Sequence, residues 1–248
     1  MKSKYLPIFL LLAGPLAPAQ TISSAEVLLR TMESHYSWYH TLTFTQKSTT
    51  YNPDGTTKVE TWHEAASLPG KLRIDIGPPS ENNGYLMVDG NLTIVKNGQV
   101  DKTIPYVNIL LVLGFDVYTQ PGEATEKVLK AEGYDLSRFH EDSWEGKPAY
   151  VVGADKVDLK TKQFWVERDS LLFVRVIEPS RQDATKMDDI RFTNYQRLNK
   201  AWIAARVEVH SEERLAFSED YTDIQADPQL DAAVFDPAKF STAHWEKP

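Results

Sequence analysis

The sequence predicts an α+β protein in which helices pack on one side of a large, curved antiparallel β-sheet. Three observations favour this class. Strand-like runs occupy most of the chain, turn motifs separate these runs at short intervals, and the few helical patterns lie near the start and in the middle. The runs add up to about ten or eleven strands.

Residues 1–19 have the pattern of a cleavable signal peptide. Lys2 and Lys4 precede an apolar run over residues 5–13, and Ala17-Pro18-Ala19 supplies a small-x-small cleavage site. The apolar run is shorter than the roughly 20 residues that a membrane-spanning helix needs. We therefore expect export, with a mature chain that begins at Gln20.

An amphipathic helix is predicted at the start of the mature chain. Ser23 and Glu26 form a capping box, and apolar residues then recur at helical spacing as far as Tyr39. The aromatic residues at the end of this pattern, Tyr36, Trp38 and Tyr39, either pack the helix against the sheet or form a membrane-facing patch.

The first group of strands is predicted as a continuous meander between residues 42 and 96. Its five runs cover 42–51, 56–66, 71–76, 85–88 and 92–95, with turns such as Pro69-Gly70 and Asp89-Gly90 between them. In the run 71–76 the even-numbered residues are apolar and the odd-numbered residues are charged. One face of this sheet is therefore expected to be buried and the other solvated.

The middle of the chain contains two further segments. Residues 108–117 form a dense apolar run broken by Gly114, which fits either a short helix or a buried strand. Residues 123–132 follow Pro121-Gly122 and predict a surface helix.

The remainder of the chain is again strand-like. Predicted strands cover residues 149–154, 163–167, 171–178, 187–195, 202–210 and 217–224. Residues 86–88 and 171–176 carry apolar residues on both faces of their strands, so we expect both faces to be buried. Such strands either lie within packed core or line a cavity.

Composition limits the classes of partner. The chain has 248 residues, a net charge of −8 and no cysteine. An acidic chain does not fit the phosphate backbone of nucleic acid, and a chain without cysteine has no disulfide and no site for an N-terminal lipid anchor. No linker or internal repeat divides the sequence, so we expect one domain over residues 20–248 and a monomer.

The sequence lacks the usual signs of an enzyme. It contains no Gly-x-Ser-x-Gly elbow, no His-Glu-x-x-His motif and no phosphate-binding glycine loop. The six histidines are scattered and no cysteine can join them at a zinc ion. We therefore expect a non-enzymatic protein without a metal ion or cofactor.

Several motifs resemble the outer-membrane lipoprotein carriers of the LolA type, the outer-membrane lipoprotein-sorting family. Phe44-Thr45-Gln46 matches a Phe-x-Gln strand, Leu68-Pro69-Gly70 begins a strand that resembles the family's Pro-x-x-Phe-x-Trp strand, and Val88-Asp89-Gly90 matches a Val-Asp-Gly hairpin. The end of the chain, from Leu230 to Phe235, is similar to the family's final segment. The motifs occur in the family's order and cover most of the mature chain.

The resemblance implies an incomplete antiparallel β-barrel whose concave apolar face is covered by helices. It implies a periplasmic carrier that binds the acyl chains of lipoproteins or lipids, with a donor protein in the inner membrane and an acceptor in the outer membrane. The cavity and its cover are expected to be lined by Phe44, Leu72, Ile74, Ile76, Leu86, Val88, Leu110, Leu111, Leu113 and Phe115.

Two further expectations come from the resemblance. The family's arginine directly before the proline of the third strand, a latch between sheet and cover, is Leu68 here, and Arg73 is the candidate replacement. The alternative function is an envelope sensor or adaptor that uses the same sheet to bind a protein partner.

Overall fold

The computed structural model describes residues 21–36, 38–181 and 183–245, so the predicted signal peptide lies outside the described residues. The described residues form three α-helices: α1 (Ala25–His35), α2 (Ile109–Gly114) and α3 (Gly122–Ala131). The thirteen strands are β1 (Thr41–Tyr51), β2 (Thr57–Ser67), β3 (Lys71–Ile76), β4 (Asn83–Val88), β5 (Asn91–Lys96), β6 (Gln99–Pro105), β7 (Phe139–Trp144), β8 (Lys147–Val152), β9 (Gln163–Glu167), β10 (Phe173–Pro179), β11 (Met187–Leu198), β12 (Ala201–Ser211) and β13 (Arg214–Ala226).

All thirteen strands belong to one antiparallel sheet. Its strand order is β6-β5-β4-β3-β2-β1-β13-β12-β11-β10-β9-β8-β7. Two meanders, β1–β6 and β7–β13, are joined by the pairing of β1 with β13. Within the described residues β6 and β7 do not pair, so the sheet is open. This confirms the predicted α+β class and the incomplete barrel.

The sheet has more strands than the sequence predicts, and both additional strands lie at its edges. All residues of β6 are exposed, and β7 has only exposed or half-buried residues. Edge strands of this kind lack a buried face, so they lack the alternation of apolar and polar residues by which a strand is recognised.

Helix α1 packs against α3 on one face of the sheet. The Ser24 side chain caps α1 by accepting a hydrogen bond from the Val27 amide at 3.3 Å, and the Gly122 amide, at the start of α3, donates to Glu33 at 2.9 Å. After α1, Trp38 stacks on Tyr118 with ring centroids 4.3 Å apart. Trp38 therefore packs inside the protein, which supports packing rather than a membrane-facing patch.

Helix α2 resolves the alternative that the apolar run 108–117 left open. The Asn108 side chain caps it, since its Oδ1 accepts from the amides of Leu110 at 3.1 Å and Leu111 at 3.4 Å. At the other end, Gly114 lies so close to β11 that an added Cβ would approach Phe192 Cε1 to 2.7 Å. Glycine is thus required for the helix to pack this closely.

The topology determines where α2 and α3 lie. They occur in the segment 106–138, which connects β6 at one edge of the sheet with β7 at the opposite edge. This connection crosses one face, which we call the helical face, and the opposite face is the outer face. Leu111, Leu113 and Leu129 of the connection share a buried apolar cluster with Phe44 and Leu72 of the sheet.

The C-terminal segment covers part of the outer face. Residues 230–245 pack over β2–β5 in a second apolar cluster that contains Ala65, Leu86, Val95 and Phe240. Among the described residues, no helix combines the length and the apolar character required to cross a bilayer.

Candidate functional site

A cavity of about 70 Å³ lies between the helical face and α2. Sheet residues and residues of the α2 segment both contribute to its walls. It is lined by Phe44, Gln46, Trp62, Glu64, Ala66, Leu72, Ile74, Asn108, Leu110, Leu111, Phe115, Phe192, Glu219 and Tyr221.

Six of the ten residues predicted for the cavity and its cover line it. Phe44, Leu72 and Ile74 come from the sheet, and the α2 segment supplies Leu110, Leu111 and Phe115. Two others, Ile76 and Leu113, pack in the same apolar cluster without lining the cavity. Strict alternation along β3 explains why Leu72 and Ile74 share one face.

Two predicted residues, Leu86 and Val88, belong to the outer face, and their assignment to the cavity is corrected. Leu86 pairs in register with Arg73, and Val88 pairs with Lys71. Residues directly opposite each other on neighbouring strands point to the same face. Both therefore pack with the apolar cluster beneath the C-terminal segment.

Arg73 does not link the sheet to the helical cover, so its prediction as a lid latch is wrong. It is fully buried on the outer face. Its guanidinium donates to the Asp75 carboxylate at 2.8 Å and to backbone carbonyls of the C-terminal segment. The three carbonyls are those of Val234 at 3.2 Å, Phe240 at 2.7 Å and Ala243 at 2.6 Å.

A different contact joins the cover to the sheet. Asp116 follows α2, and its Oδ1 accepts a hydrogen bond from the Gly70 amide at 3.0 Å. Gly70 lies in the turn between β2 and β3, two residues after Leu68. Burial raises the pKa of Asp116 to about 7, although the hydrogen bond from Gly70 lowers it.

One end of the cavity is polar, which the sequence did not predict. Gln46 on β1 pairs in register with Trp62 on β2 and with Tyr221 on β13. Glu64 and Glu219 also line this end. Alternation places Trp62, Glu64 and Ala66 on one face, so the sequence did contain a signal. A carboxylate in a strand is ordinarily expected to face solvent, so Glu64 was not predicted to line the cavity.

The two carboxyl groups at the polar end lie in an environment that disfavours their charge. Burial raises the pKa of Glu64 well above its usual range, and the nearby Glu219 raises it further. Burial also raises the pKa of Glu219 to about 7, against hydrogen bonds from Tyr221 and Gln46. The Tyr221 hydroxyl donates to Glu219 Oε2 at 2.5 Å. No Lys, Arg or His is among the described lining residues.

The lining of the cavity combines apolar and polar groups. Among the described residues, no group of three or more His, Cys, Asp or Glu side chains is arranged to hold a metal ion. One wall of the cavity is apolar and includes residues of the short helix α2. The other end is polar, and it is uncharged when its carboxyl groups are protonated. Such a compartment fits a ligand with a hydrocarbon part and a polar, uncharged group.

Comparisons with known proteins match this chain in structure and not in sequence. No protein-family model matches the sequence, and no curated protein matches it either. A LolA superfamily protein, NE2245 from Nitrosomonas europaea, matches in structure with a TM-score of 0.55 and 14% identity, over 86% of this chain and 98% of that one.

Two further solved structures share the architecture. A DUF1329 family protein from Desulfovibrio piger has a TM-score of 0.56 and 14% identity, over 86% of this chain and 95% of that one. A domain assigned to outer membrane lipoprotein sorting, from Vibrio parahaemolyticus, has a TM-score of 0.52 and 12% identity, over 88% of this chain and 98% of that one. The chain therefore has the fold that LolA superfamily and outer membrane lipoprotein-sorting structures share.

Proposed function

We propose that this protein is a periplasmic carrier that binds the acyl chains of lipoproteins or lipids beneath α2 and ferries them across the periplasm. The observation that carries the proposal is the cavity between the sheet and a short apolar helix, lined by Phe44, Leu72 and Ile74 on one side and Leu111 and Phe115 on the other. The fold shared with lipoprotein-sorting structures supports it.

The physical need for such a carrier follows from hydrocarbon solubility. Each CH₂ group of an acyl chain costs about 0.8 kcal/mol when it is exposed to water. A cargo with two or three chains therefore crosses an aqueous compartment only inside a protein. The signal peptide of residues 1–19 and the mature chain of residues 20–248, as one carrier domain, are parts of the same proposal.

The cavity size implies that cargo entry requires movement of α2. Its volume of about 70 Å³ is about half that of an engineered cavity of about 150 Å³ that binds benzene. An acyl chain is much larger than benzene. Five of the six residues of α2 are buried, so its outward movement exposes apolar surface that a bound acyl chain then covers. On this proposal, the carrier opens by outward movement of α2 when it takes up its cargo.

A cavity-filling substitution tests the proposal. Ala66 lines the cavity and is 1% exposed, so the Ala66→Leu side chain extends into the empty space. We expect the wild-type protein to take up a fluorescently labelled dodecanoyl ester, with a rise in fluorescence on binding. Ala66→Leu should reduce the affinity at least tenfold while the protein stays folded.

Ala66→Val is the milder variant if the leucine overpacks the core. The matched control is Ala131→Leu, which adds the same groups at an exposed position of α3. Equal uptake by Ala66→Leu and wild type, or no uptake by the wild type, contradicts acyl binding in this cavity.

The small volume also favours one alternative, an envelope sensor or adaptor that binds a protein partner. In that case the residues over the helical face serve as packed core rather than as a compartment. Recovery of one membrane protein in a pull-down, unchanged after delipidation and unchanged by Ala66→Leu, supports the adaptor.

A further inference from the structure

The polar end of the cavity contains hydrogen-bonding groups of two kinds, satisfied and unsatisfied. Glu219 accepts from Tyr221 at 2.5 Å, and Gln46 Nε2 donates to Ser48 Oγ at 2.7 Å. By contrast, the Nε1 atom of Trp62 is buried and has no hydrogen-bond partner within the described part of the chain.

A buried donor without an acceptor costs free energy in the folded protein. The desolvation of an unsatisfied N–H group is unfavourable by about 1–3 kcal/mol, so such groups in folded proteins require an explanation. A ligand that supplies an acceptor atom recovers this cost when it binds. Trp62 lines the cavity, so its indole N–H can donate this hydrogen bond to a bound ligand.

Glu64 adds a second donor at the same end. It lies two residues from Trp62 on β2, so both side chains are on the helical face. Glu64 is 4% exposed, and the residues that line the cavity around it include Glu219 but no cation. Both burial and the neighbouring carboxyl favour its protonated form, which donates an O–H hydrogen bond.

Two donors without a cation select the chemistry of the ligand. A carbonyl oxygen has two lone pairs and carries no charge. A carboxylate ligand is disfavoured, because no cation lines the site to offset the loss of water around its charge. The apolar wall formed by Leu72, Leu111 and Phe115 leads away from this end, which suits a hydrocarbon chain attached to the carbonyl.

We propose that Trp62 and Glu64 form a head-group subsite that binds the uncharged carbonyl of an acyl ester or amide, with the acyl chain beneath α2. The inference rests on the proposed function, because it assumes that the apolar part of the cavity holds an acyl chain. It adds a preference: the protein selects acyl groups in ester or amide linkage over hydrocarbon chains that lack a carbonyl.

The experiment compares two probes that differ only in the carbonyl group. Glyceryl monododecanoate is an ester, and glyceryl monododecyl ether has the same chain and head group without the carbonyl. Affinities are measured at pH 6 by displacement of the fluorescent dodecanoyl probe. We expect the wild-type protein to bind the ester about fivefold to tenfold more tightly, as one buried hydrogen bond provides.

Variants identify the residues that cause the preference. Trp62→Phe removes the indole N–H and should lower the ratio of ester to ether affinity towards one. Glu64→Leu should reduce the ratio, whereas Glu64→Gln keeps a neutral donor and should preserve it. The matched control is Trp38→Phe, since Trp38 Nε1 is also buried without a partner in the described structure but does not line the cavity.

The outcomes separate this inference from the proposed function. Equal affinity of the wild type for ester and ether overturns the head-group subsite and leaves acyl binding intact. Tighter binding of dodecylamine than of the ester, lost in Glu64→Gln, also overturns it, because the site would then pair a cation with a carboxylate. Failure of both glyceryl probes to bind overturns the subsite and the proposed function together.

Discussion

Glu219 is a single residue whose ionisation couples the cavity to the stability of the fold. Burial raises its pKa from 4.5 to about 7. Between these two pH values the folded state therefore binds more protons than the unfolded state. A group with a raised acid pKa stabilises the fold at low pH, and this stabilisation is lost as the pH rises through the folded pKa.

We predict that the free energy of unfolding decreases as the pH rises from about 4.5 to about 7. Asp116, whose pKa is also raised to about 7, contributes in the same direction. Glu219→Gln should remove on the order of 2–3 kcal/mol of this pH dependence, a value reduced to allow for partial exposure of the side chain.

Urea denaturation at pH 5 and pH 8 provides the measurement. Glu213→Gln, at an exposed position of the turn before β13, is the control. Its free energy of unfolding should decrease between pH 5 and pH 8 as much as that of the wild type. If this decrease is the same in Glu219→Gln and in the wild type, Glu219 does not cause the pH dependence of stability.

The residues predicted to line the cavity differ in how clearly the sequence indicates which face of the sheet they occupy. Leu72 and Ile74 were predictable because their strand alternates perfectly between apolar and charged residues. Leu86 was assigned to the wrong face because its own strand is apolar at successive positions. Only the register with Arg73 on β3 decides which face it occupies, and strand register is not encoded in a single run.

Among the elements, the connection between β6 and β7 carries the proposed cover. The contact of Asp116 with the Gly70 amide ties this connection to the turn between β2 and β3. Because α2 has only six residues, its position depends on such attachments more than on its own stability.

We predict that Asp116→Leu weakens the attachment of α2 and increases the rate of probe uptake by about fivefold to tenfold, as loss of one hydrogen bond permits. Asp116→Asn keeps an acceptor oxygen and should remain close to wild type. Stopped-flow measurement of the fluorescent dodecanoyl ester gives the rates. Uptake that is equally slow in Asp116→Leu shows that this contact does not restrain the helix.

The elements that the sequence left undecided share a physical cause. Residues 108–117 are apolar at nearly every position, and such a run has no period from which helix or strand can be chosen. The cap formed by Asn108 and the tight approach of Gly114 to Phe192 decide for a helix. Strands β6 and β7 were missed for the opposite reason, since they have almost no buried residues.

At the scale of the whole molecule, the sheet is covered on both faces. The helical connection covers one face, and the C-terminal segment covers β2–β5 on the other. Arg73 fastens that segment through hydrogen bonds to three of its carbonyls and lies 4.0 Å from the centre of the Phe240 ring. The planar guanidinium is suited to several bonds at once, which a lysine does not reproduce.

We predict that Arg73→Lys lowers the free energy of unfolding by about 2–3 kcal/mol, because the hydrogen bonds of a buried charge are lost. Limited proteolysis should then cut within residues 230–245 faster than in the wild type. Arg197→Lys, at an exposed site on β11, is the control. An unchanged melting temperature in Arg73→Lys contradicts the anchoring role.

The pairing of β1 with β13 has a consequence for how the chain folds. In the part of the chain that the structure describes, eleven of the twelve strand pairings join neighbours in sequence, and the twelfth joins β1 to β13. Local hairpins form quickly, whereas contacts between distant residues form slowly. The hairpins of each half are therefore expected to form before β1 and β13 pair, and until then β1 presents an unpaired backbone edge, a surface prone to aggregation. Pairing of β13 with β1 ends that vulnerable period and unites the two halves.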